Sequence, residues 1–246
     1  MSVLRIANLS LSFGGLKAID SLSLEVRAGQ CFGIIGANGA GKTTLLNLVT
    51  GYLAPAQGTI EFDGRSIAGT PPFRLAKLGL ARTFQIVQPF PEMTVLENVM
   101  TGALFARRGR RRSLADIRAV CEEPLRQVGL LSEAGSLAGA LTLGGKKKLE
   151  LARALATEPK LILLDEVMGG LTHAEIDDTM AVLERIKATG TTIVMVEHLV
   201  HVVRQLCDHV FVLDFGRELF QGTPEDVVAH PEVIQAYLGK PMEPVR

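Results

Sequence analysis

"CFGIIGANGAGKTTLLNLVT", Cys31 to Thr50, passes from a continuous apolar run through a glycine-rich loop into an apolar helical pattern. The loop, Gly36 to Thr44, matches G-x-x-x-x-G-K-[ST] and lies where that pattern has a mechanism, after a strand and before a helix. Gly36, Gly39 and Gly41 permit a tight turn, and together with Asn38 and Ala40 they offer backbone amides that converge on phosphate oxygens. Lys42 is placed to reach the β- and γ-phosphates of a nucleotide, the Thr43 hydroxyl to ligate magnesium, and Thr44 to complete the loop. With a strand and a helix on its two sides, a plain glycine turn between core elements is the poorer reading.

Working outward, "LILL", "TIVMV" and "VFVL" are further continuous apolar runs, the pattern of buried parallel strands, whereas "VLRIANLSLSF" and "SLSLEV" alternate like antiparallel strands with one wet face. Helical patterns at Lys42 to Thr50, His173 to Lys187 and Leu199 to Leu206 fall between them, so the expected core is a doubly wound α/β sheet. Thr94 to Gly129 is mainly helical in pattern. Roughly residues 86–140 are expected to form a helical subdomain inserted in a single domain that spans 1–246. No internal repeat marks a second copy of the core.

"LILLDE" brings Asp165 and Glu166 to the C-terminal end of an apolar strand, where open α/β sheets bind ligands. Asp165 is placed to hold the magnesium shell. Glu166 can orient and polarise a water for attack on a γ-phosphate, a reaction that asks for positioning more than for a covalent nucleophile. A carboxylate favoured by a helix N-terminus is the alternative use of Glu166. His198 follows "TIVMVE" and Gln85 follows "ARTF". By residue type alone His198 is a satisfied strand-end residue and Gln85 a surface polar one, but strand ends carrying Lys42, Glu166 and His198 are expected to converge on one crevice.

The bulk numbers exclude much. With 246 residues the chain can bury a full core, and 26 Lys plus Arg balance 26 Asp plus Glu, so no overall field draws it onto nucleic acid or an anionic membrane. Cys31, Cys121 and Cys207 are widely spaced and lack a C-x-x-C pattern, which argues against a disulfide framework or zinc site and fits a reducing cytosol. The N-terminus reads as a strand rather than a signal peptide, and no apolar window is long enough to span a membrane. "RRGRRR", Arg107 to Arg112, reads as a solvated loop, with contact to anionic lipid as the sharper alternative.

"LTLGGKKKLELARALA", Leu141 to Ala156, poses a separate question: three lysines follow two glycines at the start of a helix. The run suits a wet surface or, less often, a patch for nucleic acid or lipid headgroups, and the glycines suit a helix N-terminus that binds phosphate. The order of motifs decides. A phosphate loop, Gln85, "LTLGG", "LILLDE", Gly169 to Thr172 and His198 occur in the sequence and spacing of the nucleotide-binding subunits of ABC transporters, which the chain resembles over essentially its whole length. The implied fold is a P-loop NTPase core of ABC type with a parallel sheet, an N-terminal antiparallel β subdomain and an inserted α-helical subdomain.

That resemblance implies an ATPase using ATP and Mg²⁺. Phe13 falls where the family stacks an aromatic on adenine. Gln85 joins Glu166 and His198 in catalysis and Thr43 and Asp165 at the metal. Thr142, Gly144 and Gly145 belong to the signature segment, which caps the γ-phosphate of ATP bound to the opposite subunit, while Lys146 to Lys148 form the wet face of the following helix, with Leu149, Leu151 and Ala152 turned inward. "RTFQIVQPFPEMTVLENVM", "DEVMGGL", "VEHLV" and "HPEVIQAYLG" are similar to the ATP-binding subunit of branched-chain (hydrophobic) amino acid importers. Gly145 stands where the family usually has Gln, and Thr172 replaces the acid or amide of its D-loop. The implied partners are two membrane-spanning permease subunits, a second ATPase chain, different or identical, and, indirectly, a periplasmic or extracellular binding protein. Nucleic acid is not among them. The implied place is peripheral, on the cytoplasmic face of the inner membrane. ATPases for organic acid or urea import, for lipopolysaccharide export, or for non-transport regulation are the alternatives. The last commonly carry tandem domains or a coiled-coil insertion, which this chain lacks.

Overall fold

The computed structural model describes residues 1–105 and 113–238; the arginine-rich stretch read above, 107–112, lies outside them. In chain order the first elements are β1 (Ser2–Phe13), β2 (Leu16–Arg27), β3 (Cys31–Ile35), α1 (Lys42–Val49), β4 (Gln57–Phe62), β5 (Arg65–Ser66), α2 (Pro72–Leu78) and β6 (Leu80–Arg82). Then come α3 (Val95–Phe105), α4 (Leu114–Gln127), α5 (Leu143–Leu155), β7 (Leu161–Asp165) and α6 (His173–Ala188). The chain continues through β8 (Thr192–Val196), α7 (Val200–Leu206), β9 (His209–Asp214), β10 (Arg217–Gly222) and α8 (Pro224–Ala229). It divides into two units, one formed by Met1–Pro71 with the chain from Thr192 onward, the other by Pro72–Thr191.

The first unit holds an antiparallel sheet in the order β2-β1-β4-β5 and the strand run β10-β9-β3-β8. β1 and β2 alternate as expected, with Leu4, Ile6, Leu9, Leu22, Leu24 and Val26 buried. Of the four register shifts in their pairing, two opposed ones fall beside Asn8 and Ser21, both at positive φ. Side-chain hydroxyls take up the displaced amides, since Asn8 N–H donates to Ser23 Oγ and Ser21 N–H to Ser10 Oγ, each at 2.9 Å. β3 pairs in parallel with both β8 and β9, and every residue of β3 and β8 is buried, the signature of a sheet covered on both faces. Gly33 marks a close approach: a Cβ there would lie 2.9 Å from Cys207 Sγ, so α7 and the segment after it pack directly onto the sheet.

In the second unit β6 and β7 pair in parallel, Leu80 with Leu161 and Arg82 with Leu163. Between residues 86 and 140 the regular elements among the described residues are α3, α4 and short 3-10 turns. Asn98, fully buried, accepts from Phe90 N–H and donates to the carbonyls of Phe90 and Thr94, so one side chain fixes the loop that precedes α3. α3 lies against α5 with its backbone close: a Cβ on Gly102 would meet Arg153 O at 2.4 Å. Leu149, Leu151 and Ala152 of α5 are buried, as their spacing predicts, each large side chain contributing about 1.5–3 kcal/mol. Ser113 with Asp116 and Thr172 with Glu175 form capping boxes that start α4 and α6.

Candidate functional site

The phosphate loop runs from the end of β3 to α1, and its glycines are dictated by contact as well as by φ. Gly36 has φ 156° and a Cβ there would stand 2.1 Å from Leu213 O; Gly41 has φ 109° and a Cβ would stand 2.6 Å from Ala18 O. Gly39, at φ 82°, has open space around it and is required by its backbone alone. Lys42 is only 6% exposed, and its ammonium donates to Gly36 O at 2.7 Å and Ala37 O at 2.9 Å, so the charge lies across the loop. Gly41 gives α1 no side-chain cap, and the first turn carries no acid, which leaves the helix N-terminus electropositive. Asn38, Gly39 and Thr43 are exposed, Thr44 is half-buried and Ala40 is buried. Phe13 is 51% exposed at the β1–β2 turn.

β8 ends beside β3, with Ile34 paired to Val196 and Glu197 N–H donating to Ile34 O, so His198 leaves the same sheet end as the loop. Its ring nitrogen Nδ1 lies 3.4 Å from Tyr237 Oη, whose hydroxyl also reaches His198 O. Tyr237 is an anchor for the ring that residue type alone did not announce.

The second unit gathers the other site residues. Gln85 Nε2 donates to Glu166 Oε2 at 2.6 Å, bringing together two residues expected to share in catalysis. Glu166 sits at φ 49°, an uncommon backbone state for a residue with a side chain and one that concentrates at functional positions. Asp165 is buried and forms an ion pair with Arg82 at 2.8 Å. The segment that contains Gln85 is strapped to α5: Phe84 N–H donates to Glu150 Oε1 at 2.8 Å and Arg153 donates to Gln88 O at 3.1 Å. Arg153 also lies over the Phe90 ring, 5.2 Å from its centre. Burial pushes the Glu150 carboxyl up to about 7, against the smaller opposing pull of the Phe84 amide.

The lysine run departs from expectation. Lys147 is 3% exposed and donates to Glu166 O at 3.4 Å; it is not part of a wet face. Lys148 pairs with Asp178. Helical spacing explains the inward turn, because Lys147 lies three residues after the buried Gly144 and four before the buried Leu151. At the N-terminus of α5, Thr142 accepts from Gly145 N–H at 3.1 Å as the N-cap. Glu175 faces Gly144, where a Cβ would lie 2.7 Å from its Oε1. Hydrogen bonds from Thr172, and a weaker one from the Gly144 amide, hold the Glu175 carboxyl below its usual range. Thr172 is thus explained locally, as the N-cap of α6.

The chain is similar to known proteins over nearly its whole length. The ABC transporter family matches residues 19–169, and the branched-chain amino acid ATP-binding cassette transporter family matches residues 217–242. The high-affinity branched-chain amino acid transport ATP-binding protein BraF of Pseudomonas aeruginosa is 36% identical over 97% of this chain and 98% of its own. The corresponding LivG protein of Escherichia coli is 36% identical over 97% and 98%. The crystal structure of the ADP conformation of an ATP-binding cassette of an ABC transporter superposes with a TM-score of 0.87 at 34% identity, over 98% of this chain and all of that one. A cassette solved as a dimer in a post-hydrolysis state bound to ADP and phosphate gives 0.79 at 25% identity, over 90% and 98%. The chain therefore belongs to the ABC transporter family, as one of its nucleotide-binding, ATP-hydrolysing cassettes.

Proposed function

We propose that this chain energises an importer of branched-chain or other hydrophobic amino acids, binding ATP with magnesium and hydrolysing it on the cytoplasmic face of the inner membrane. The observation that carries the nucleotide chemistry is the Lys42 ammonium lying across the glycine loop, with a helix N-terminus that has no side-chain cap behind it. The names of the full-length relatives carry the cargo. Lys42 neutralises the β- and γ-phosphates, Phe13 stacks on the base, and Glu166, steered by Gln85, orients the attacking water, with His198 fixing the γ-phosphate end. The oxygens of Thr43, Asp165 and Gln85 are hard donors of the kind that suits magnesium and would hold the ion that comes with the nucleotide, where it would neutralise phosphate charge. Among the described residues no group of three or more His, Cys, Asp or Glu side chains could hold a metal, which fits an ion that arrives with its nucleotide. Thr142, Gly144 and Gly145 meet the nucleotide of a second ATPase chain, and two permease subunits receive the motion.

Among the described residues no helix is long and apolar enough to cross a membrane, so transport requires those permeases. The test is reconstitution. The chain co-expressed with the permeases and ATPase encoded beside it, in vesicles supplied with the matching binding protein, should take up leucine, isoleucine or valine only with ATP. Lys42→Ala should abolish nucleotide binding and uptake together. Uptake confined to organic acids or urea would overturn the cargo, and ATP binding unaffected by Lys42→Ala would overturn the nucleotide site.

A further inference from the structure

β9 and β10 are joined by a two-residue turn, Phe215 and Gly216, with Asp214 paired to Arg217 across it. Both turn residues have positive φ, 42° and 78°. Such a turn suits Asn-Gly, Asp-Gly or Gly-Gly, and a bulky first residue is strained in it. Burial gives no compensation, because Phe215 is 83% exposed. A strained residue that the fold itself does not use is a candidate for a contact made outside the fold.

The neighbours of the turn identify that contact. Gly216 N–H donates to Ala40 O of the phosphate loop, and Asp20 N–H donates to Gly216 O, both at 2.9 Å. Arg217 Nε binds Asp20 at 2.9 Å. A Cβ on Gly216 would lie 2.6 Å from Ala18 O, and a Cβ on Gly41 would meet the same oxygen at the same distance. Phosphate loop, β2 and the β9–β10 turn therefore meet at Ala18. Two residues along β2, roughly 7 Å away, is Leu16, 72% exposed and paired with Phe13. Phe13, Leu16 and Phe215 are thus exposed apolar residues on the two turns that flank the phosphate loop.

We propose that Phe215 is a second aromatic contact for the ribose and base of the nucleotide, beside Phe13, and so a residue that sets affinity for ATP over phosphate alone. The proposal rests on the nucleotide reading above. A flat aromatic at the exposed end of the phosphate loop stacks on, or edges against, a purine, and the backbone strain is retained for that contact.

The experiment is titration of the purified chain with magnesium ATP and with magnesium tripolyphosphate, for the wild type, Phe215→Asn, Phe215→Tyr and Lys42→Ala, with melting temperatures for all four. Phe215→Asn should weaken ATP about five- to tenfold, leave tripolyphosphate within about twofold, and melt no lower than the wild type, because asparagine suits the turn. Phe215→Tyr should keep the wild-type ATP affinity. A purely structural role would not separate the two ligands or raise stability while affinity falls. Equal ATP affinity in Phe215→Asn and wild type, as expected if Phe215 serves a protein partner instead, overturns the proposal. So does equal weakening of both ligands, or a loss in Phe215→Tyr as large as that in Phe215→Asn. ATP binding indifferent to Lys42→Ala would instead bring down the nucleotide reading itself.

Discussion

Gln85 Nε2 donates to Glu166 Oε2 at 2.6 Å, so the amide expected at the metal holds the carboxylate expected to direct the water. Glu166→Gln keeps the size and a hydrogen-bonding partner for Gln85 but removes the negative charge that polarises water. Phosphate release should fall by about 100-fold or more, with ATP affinity and melting temperature close to wild type. Gln85→Ala should cost less, roughly tenfold, since it frees Glu166 without removing it. Normal turnover in Glu166→Gln would take the residue out of hydrolysis.

Lys147 links α5 to the other end of the same carboxylate residue, through Glu166 O. Lys147→Met keeps the buried stem and leaves that carbonyl without this donor, so stability should drop by about 1–3 kcal/mol. Turnover should drop with it as Glu166 loosens, while Lys146→Met, nearer solvent, should change neither. Denaturant melts and phosphate release on the two variants separate the roles. Equal effects would mean that the lysines act only through net charge.

How much of this was legible follows from where each signal lies in the chain. The phosphate loop is one contiguous stretch whose strand, glycines, lysine and helix are all local, and the structure keeps β3 and α1 where the pattern puts them. The buried runs of β7, β8 and β9 and the alternation of β1 and β2 were equally local. Arg82 and Tyr237 carry no such mark, because their partners Asp165 and His198 are distant in sequence. Lys147 was masked by composition: a lysine run reads as surface, although its spacing from Leu151, four residues on, puts it on the stripe that α5 buries. Glu150 sits in "KLELARA" as any helix glutamate would, and only the fold brings Phe84 to it.

Glu150 gives a pH dependence with a definite sign. Its folded pKa, about 7, lies above the ordinary 4.5 because burial disfavours the charge, with Asp165 adding to the rise and Arg153 and Lys147 opposing it. The native state therefore holds this proton more tightly than the unfolded chain. Its contribution is fullest below about pH 4.5 and is lost as pH rises through about 7. Glu150→Gln can still accept from Phe84 N–H and never ionises. The variant should match wild type near pH 4.5 and exceed it by about 2 kcal/mol at pH 8, measured as the difference between denaturant curves. A difference that does not grow with pH would mean that Glu150 ionises without cost.

Glu175 and Gly144 bear on the segment proposed to meet a second ATPase. The N-terminal amides of α5 are the groups proposed to cap a γ-phosphate, yet Thr142 accepts from Gly145 N–H and Glu175 faces the Gly144 amide. A carboxylate there satisfies the helix end but repels an arriving phosphate. Gln at the same position keeps the capping box with Thr172, since an amide oxygen accepts from Thr172 N–H as a carboxylate does. Glu175→Gln should therefore leave the melting temperature nearly unchanged. In the assembled transporter it should lower the ATP concentration for half-maximal turnover by about two- to fivefold, the range expected for removing one charge from a helix N-terminus. Glu184→Gln, on the same helix but away from its start, is the control and should do nothing. Lowered ATP demand in Glu175→Gln alone supports a charge that holds the signature segment in reserve. An unchanged or raised demand would show instead that phosphate meets α5 without displacing Glu175, through Thr142 and the backbone alone.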